Sequence, residues 1–322
     1  MLVLVALGGN AMTGPDGSAT PHAQREAIGR AMQRVADLVE AGHDVVVTHG
    51  NGPQVGNLLV KNELAAHVVP PVPLDWCGAQ TQGTIGFTAV DTLEAAFASR
   101  GLRRRAAAVI TRTLVDASDP GFTTPTKPVG RFLPHEQAKR LIEHGETWQD
   151  RGEHGWRRVV ASPEPLEVLD THAVLTLLHA GYVVVAAGGG GIPVVRTPGG
   201  TVHGVEAVVD KDLTAAVLAR ALGADVLVTA TDVEHAEVGF GTPHARPLGR
   251  VSLEEMEGYA ADGQFASGSM GPKVEAALRF VRGGGRRSVI TALDRIADAV
   301  AGEVGTIIES PTPATPTPTT DR

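Results

Sequence analysis

Short apolar runs alternate along this chain with longer amphipathic segments, and the runs end in glycine. Val3-Leu4-Val5-Ala6-Leu7 leads into Gly8-Gly9-Asn10, Val45-Val46-Val47-Thr48-His49 into Gly50-Asn51-Gly52, and Val183-Val184-Val185-Ala186-Ala187 into Gly188-Gly189-Gly190-Gly191. Runs of about five branched residues bounded by turn formers read as fully buried strands. Between them, 3.6-residue periodicity predicts helices over 22–41, 54–65 and 79–99, with a strand at 106–110. Further on, the pattern predicts a helix over 166–178, a hairpin over 192–202 and strands at 225–229, 288–291 and 306–308. Helices are also expected at 253–261 and at the segments opened by Lys211 and Lys273. Alternation of this kind implies an α/β chain, an open three-layer αβα sandwich around a mainly parallel sheet.

Two stretches break the rhythm. Residues 113–165 are rich in Pro, Gly and charge, with one short helix near 135–144. Fifty residues without regular structure are rare inside a compact α/β order, so a protruding subdomain or lid is expected there. The end of the chain, PTPATPTPTTDR, is a low-complexity Pro/Thr repeat, and 309–322 is expected to be a disordered tail. The division expected is therefore one domain over 1–308, carrying the inserted lid, and a tail.

The glycine loops change the picture from architecture to chemistry. Glycine allows positive φ and close approach to a ligand, and successive N–H groups in such turns form anion nests. In open parallel sheets, ligands bind beyond the carboxyl ends of the strands. Lys211 and Lys273 each stand near the start of a helix, where the dipole disfavours a cation. A strongly anionic ligand between them, phosphate above all, would reconcile the two. Asp210 is expected to N-cap the Lys211 helix, and Asp212 to orient both lysines. The sequence lacks GxxxxGK[ST], a GxGxxG after a strand, HExxH and CxxC, so P-loop, dinucleotide and zinc chemistry are not expected. His172 and His179 read as ordinary histidines, and Ser267 or Ser269 as the cap of the Lys273 helix. No carboxylate cluster able to hold magnesium alone is evident, so the ion is expected to arrive with ATP or ADP phosphates.

Composition narrows the partners. The chain has 322 residues and a formal net charge of -8, which argues against non-specific nucleic-acid binding. No stretch approaches the ~20 apolar residues of a membrane helix. Cys77 is the lone cysteine; it reads as a packed residue and fits a reducing, cytoplasmic setting. Phe87, Val90, Leu93 and Phe97 of the helix at 79–99 are expected to pack across any subunit boundary the chain forms.

Longer phrases now carry a resemblance. ALGGNAM, VVVTHGNGPQVGNLL, PLDWCGAQTQGTIGF, TKPVGRFL, GWRRVVASPEP, AAGGGGIPVV, GVEAVVDKDL and FASGSMGPKVEAA together closely resemble the carbamate kinases, a branch of the amino acid kinase fold family. The resemblance covers the chain up to the tail. It implies an eight-stranded sandwich, a homodimer, and reversible phosphoryl transfer between ATP and carbamate to give ADP and carbamoyl phosphate, ATP-forming in arginine breakdown. It also implies roles: Lys211 and Lys273 on the transferring group, Asp212 organising them, and Lys127 reaching in from the subdomain. Gly8, Gly9, Asn10, Gly50, Asn51 and Gly52 would form the carbamate and phosphate cradle, joined by Gly188 and Gly189. Thr231, Asp232, His235, Ser269 and Met270 would serve the nucleotide. Typical members carry Tyr and Lys where this chain has His235 and Thr242, which puts the adenine contacts in question. The alternatives are a related acylphosphate-forming kinase for another small carboxylate and a non-catalytic nucleotide-binding regulator.

Overall fold

The computed structural model describes residues 1–14, 20–143, 145–265 and 269–310, and at Asn10 the backbone alone. Ser267 and the Pro/Thr tail beyond 310 lie outside the described residues. The central sheet has eight strands: β1 (Leu2–Leu7), β2 (Asp44–His49), β3 (Arg105–Ala108), β4 (Tyr182–Val185), β5 (Val226–Thr231), β6 (Arg250–Ser252), β7 (Arg287–Ala292) and β8 (Thr306–Glu309). Their order across the sheet is β6-β8-β7-β5-β1-β2-β4-β3. Pairings from β7 to β3 are parallel, while β8 runs antiparallel to β7 and parallel to β6.

Each inner strand is buried on both faces, which explains its continuous apolar run. Along β1, Val3, Val5 and Leu7 join one core cluster, while Leu4 and Ala6 join the other. The first cluster is closed by the helices Pro21–Glu40 and Leu74–Ser99, the second by Lys211–Leu222 and Met270–Arg282. These two layers and the sheet make the three-layer sandwich.

The insert has a fold of its own. Lys127–Leu133, Trp156–Val160 and Trp148–Asp150 form a three-stranded antiparallel sheet, and the helix His135–Glu143 packs on it through Leu133, Ala138 and Trp148. Its edges differ from expectation. Arg112–Leu114 and Glu167–Val168 pair with each other in a second four-stranded sheet with Ile192–Arg196 and Val202–Gly204. The helix expected from 166 therefore begins only at Thr171. The helix expected from residue 79 begins at Leu74, just after Pro73. Leu93 and Phe97 lie in the core and Val90 packs against it, leaving Phe87 as the exposed member of the proposed dimer set. Glu309 still belongs to β8, where it faces Arg287 and Ser252, so the last strand extends one residue past the expected domain boundary.

Candidate active site

The three glycine loops leave β1, β2 and β4, which are consecutive neighbours in the sheet. Parallel pairing puts their carboxyl ends side by side. The Gly50 N–H donates to the Leu7 carbonyl at 3.0 Å, and Gly8 N–H to that of Ala230 at 2.9 Å. The loops also touch: a Cβ on Gly50 would lie 3.1 Å from the backbone of Gly9. The β4 loop is tighter. Gly189 has φ +66, and a Cβ there would fall 2.1 Å from the Asn51 amide. Ala187, at its head, is the one non-glycine with positive φ among the described residues (φ 51). Thr48 Oγ1 donates to the Ala187 carbonyl at 2.8 Å, and the Ala187 N–H donates to Thr111 Oγ1 at 2.7 Å. Such strain persists only where neighbours over-determine it.

His49 underlies this loop. It is buried, its Nδ1 lies 2.9 Å from the Gly50 carbonyl, and a Cβ on Gly188 would meet its Nε2 at 2.3 Å. Burial, opposed by the bond to Gly50 and aided by the charge of Lys211, lowers its pKa to about 4. The ring is therefore neutral at pH 7.

Lys211 is the first residue of its helix. Its Nζ donates to Asp212 Oδ1 at 2.5 Å, and Lys273 Nζ to Asp212 Oδ2 at 3.3 Å. Asp212 is 4% exposed, so one carboxylate neutralises part of two ammonium groups in a low-dielectric setting. Lys273 stands in the fourth position of its helix rather than at its start, and also donates to the Ser269 carbonyl at 3.3 Å. The Ser269 side chain makes no capping bond, against expectation, so the backbone of that residue engages Lys273 instead. Asp210 does cap its helix: Oδ1 accepts from the N–H groups of Asp212 and Leu213, at 2.9 and 3.3 Å. Its Oδ2 accepts from Lys127 Nζ at 2.8 Å. Burial alone would raise the Asp210 pKa, but Lys127, the Leu213 N–H and Lys211 outweigh it and hold the carboxyl below its ordinary value.

Two clefts meet at these lysines. The larger, about 830 Å³, runs from Gly50, Asn51 and Gly52 to the subdomain residues Lys127, Gly130 and Arg157. The smaller, about 310 Å³, is lined by Gly8, Thr231, Asp232 and Leu293. Gly9, Lys211, Ser269 and Lys273 line both. Gly189 borders the larger cleft, while Gly188 is buried behind it. Met270 and His235 line neither. Met270 packs against the second core cluster. His235 has Nδ1 3.1 Å from the Leu248 carbonyl and Nε2 3.2 Å from Glu234, so its ring is engaged within its own loop.

Among the described residues no group of three or more His, Cys, Asp or Glu could hold a metal. The carboxylates of Asp210 and Asp212 are already committed to lysines and backbone N–H groups.

Residues 1–292 match the model of the amino acid kinase family. The chain belongs to the amino acid kinase family. This amino acid kinase is 43% identical over 308 residues to the carbamate kinase of Thermococcus kodakarensis, covering 94% of this chain and 98% of that protein. It is 42% identical over 312 residues to the carbamate kinase-like protein YahI of Escherichia coli, covering 95% and 98%. The solved carbamate kinase of Giardia lamblia bound to AMP-PNP superposes with a TM-score of 0.91 at 39% identity, covering 96% of this chain and 98% of that one. The amino acid kinase fold is thus common to all of them.

Proposed function

We propose that this chain is a carbamate kinase, interconverting ATP plus carbamate with ADP plus carbamoyl phosphate. The observation that carries the reading is the wall shared by the two clefts, built from Gly9, Lys211, Ser269 and Lys273. A phosphoryl group handed from one compartment to the other must cross between the two ammonium groups. The relatives at about 40% identity over nearly the whole chain and the likeness to an AMP-PNP complex support a nucleotide in one compartment and carbamate in the other.

In the mechanism, the nucleotide phosphates enter the smaller cleft, past Thr231 and Asp232. Carbamate lies among the Gly50–Gly52 N–H groups in the larger. A carbamate oxygen attacks the γ-phosphorus, the bond from that phosphorus to the β–γ bridging oxygen breaks, and ADP carries the electron pair away. Carbamate is already deprotonated, so no general base is required. The difficulty is anion meeting anion, and catalysis is mainly positioning and charge neutralisation. Lys211 and Lys273 supply positive charge where charge moves, and Asp212 holds them apart in a fixed geometry. Magnesium would ride on the nucleotide phosphates and add further neutralisation. Lys127, Gly130 and Arg157 belong to the inserted subdomain, which acts as a cover over the carbamate side and shields a labile acyl phosphate from water.

The working form is a homodimer in the cytoplasm. Phe87 and Trp76, 57% and 61% exposed on the long helix Leu74–Ser99, support the dimer, and no described helix is long and apolar enough to cross a membrane.

ATP formation from ADP and carbamoyl phosphate, read by a coupled enzyme, tests the assignment. Acetyl phosphate in the same assay separates a carbamate kinase from a kinase for another small carboxylate. Turnover with carbamoyl phosphate far above that with acetyl phosphate is expected; no ATP from carbamoyl phosphate would reject the reading.

A further inference from the structure

Arg157 is the unusual group on the cover. It lies on the strand Trp156–Val160, where the register slips against the partner strand: Val129 faces Arg158, yet Phe132 faces Arg157. The slip leaves Gly130 and Arg131 as a two-residue bulge. Gly130 has φ +66 and abuts Gly56 of the helix Gly52–Ala65 closely enough that a Gly56 Cβ would lie 3.5 Å from its Cα. The bulge is therefore seated on the helix that follows the carbamate-side glycine loop.

Three neighbouring cations of the cover are paired with carboxylates. Arg131 donates to Glu63 at 3.0 Å, Lys127 to Asp210 at 2.8 Å, and Arg158 stands 3.5 Å from Glu146. Among the described residues, Arg157 has no carboxylate partner. Its guanidinium lies over the Phe132 ring, the central carbon 5.0 Å from the centroid, and its Nε is buried without a hydrogen-bond partner. Burial, with Arg151 nearby, pushes its pKa below the ordinary arginine value. A half-buried cation whose Nε is buried and unpaired carries a cost that the Phe132 ring alone offsets only in part. It borders the large cleft, whose other walls bear Lys211 and Lys273. That cleft is several times larger than a planar four-heavy-atom anion needs.

We infer that Arg157 is a second substrate-facing cation of the cover, beside Lys127, donating its guanidinium fork to an oxyanion of the acyl phosphate substrate in the large cleft. The inference rests on the carbamate kinase reading and deepens it. It assigns Arg157 to the acyl-phosphate side because the nucleotide compartment, past Thr231 and Asp232, does not include it. The aromatic platform of Phe132 holds the guanidinium plane in place, and the fork matches a phosphate or carboxylate edge as a lysine cannot.

The test uses the full chain with Arg157→Met, which keeps an unbranched apolar side chain, and Arg157→Lys, which also keeps the charge. In Arg157→Met, KM for carbamoyl phosphate and the inhibition constant of inorganic phosphate should both rise about tenfold, as loss of one charge-assisted pair would give. KM for ADP should stay within about twofold of the parent. If the Met variant does not fold, the Lys variant carries the test, because a lysine cannot restore the fork and the same KM split is expected. An unchanged KM for carbamoyl phosphate overturns the inference, as does a parallel rise in both KM values, which marks a structural effect. Should the parent enzyme make no ATP, the functional reading falls by itself. Calorimetry with inorganic phosphate then decides the subsite: weaker binding to Arg157→Met upholds it, and equal binding overturns it.

Discussion

Lys127 Nζ lies 2.8 Å from Asp210 Oδ2, across 83 residues of sequence. The same aspartate uses its other oxygen to cap the helix that begins with Lys211. The cover is thus tied to the N-terminus of the helix that carries half of the lysine pair. Lys127 is 40% exposed and Asp210 13%, so solvent screens the cation end of the tie, and the tie is worth on the order of 1 kcal/mol.

A weak tie at this position should open and reclose. Lys127→Met should raise KM for carbamoyl phosphate and speed amide exchange across 127–160 while changing global stability by only about 1 kcal/mol, because Asp210 keeps its bonds to the Asp212 and Leu213 N–H groups. In the parent protein, ADP with carbamoyl phosphate should slow exchange across the same span. Hydrogen-exchange mass spectrometry on both proteins is the measurement, and identical exchange in all conditions would remove the cover from the mechanism.

Lys211→Ala or Lys273→Ala should lower kcat roughly 100- to 1000-fold, the usual loss for one donor aimed at developing charge. Affinity for ADP should change far less, since the smaller cleft keeps its other walls. Steady-state kinetics with equilibrium dialysis of ADP separates the two effects. Near-normal kcat in either variant would show that the lysine only fills space.

His49 gives a pH signature. Its folded pKa of about 4 lies below the ordinary histidine value of about 6.5. Between these limits the unfolded chain binds the proton and the folded chain does not, so stability falls as pH drops from 6.5 towards 4. The loss is on the order of 3 kcal/mol. His49→Asn, which keeps a donor towards the Gly50 carbonyl, should flatten this part of the profile. Urea titrations at several pH values test it, and an equally steep slope in the variant would contradict the burial argument.

The dimer proposal predicts twice the monomer mass by light scattering at micromolar concentration. Phe87→Glu should shift that mass towards the monomer without lowering the melting temperature of the fold, because Phe87 is 57% exposed in the single chain.

The parts of this molecule legible in sequence are those whose pattern is long. The apolar runs of β1, β2, β4 and β5 are buried on both faces, so hydrophobicity alone marked them. Glycine marked the loops, and Asp210 marked the cap. That the three loops share one site depended on strand order, β1-β2-β4, which no local pattern carries. Short elements escaped for the same reason: Arg250–Ser252 and Ile296–Ala301 are too brief to show a period. Lys127 was found through a phrase shared with carbamate kinases rather than through its own surroundings, since its partner lies far along the chain. Arg157 lies in another such phrase, GWRRVVASPEP, but nothing in the phrase marked it as a site residue. Its exposure to the cleft follows from the two-residue slip between Val129 and Phe132, and register is a property of pairing that a single strand does not record.

The wall common to both clefts also fixes the stereochemistry. In the proposed reaction donor and acceptor occupy the two clefts that share Lys211 and Lys273 in their walls, so the phosphorus would be displaced once, from one face to the other. A chiral thiophosphoryl group passed from nucleotide to carbamate would emerge inverted, and initial-rate plots would intersect instead of running parallel. An enzyme arranged in this way keeps no record of the phosphate between turnovers; each transfer begins and ends with both guests in the room.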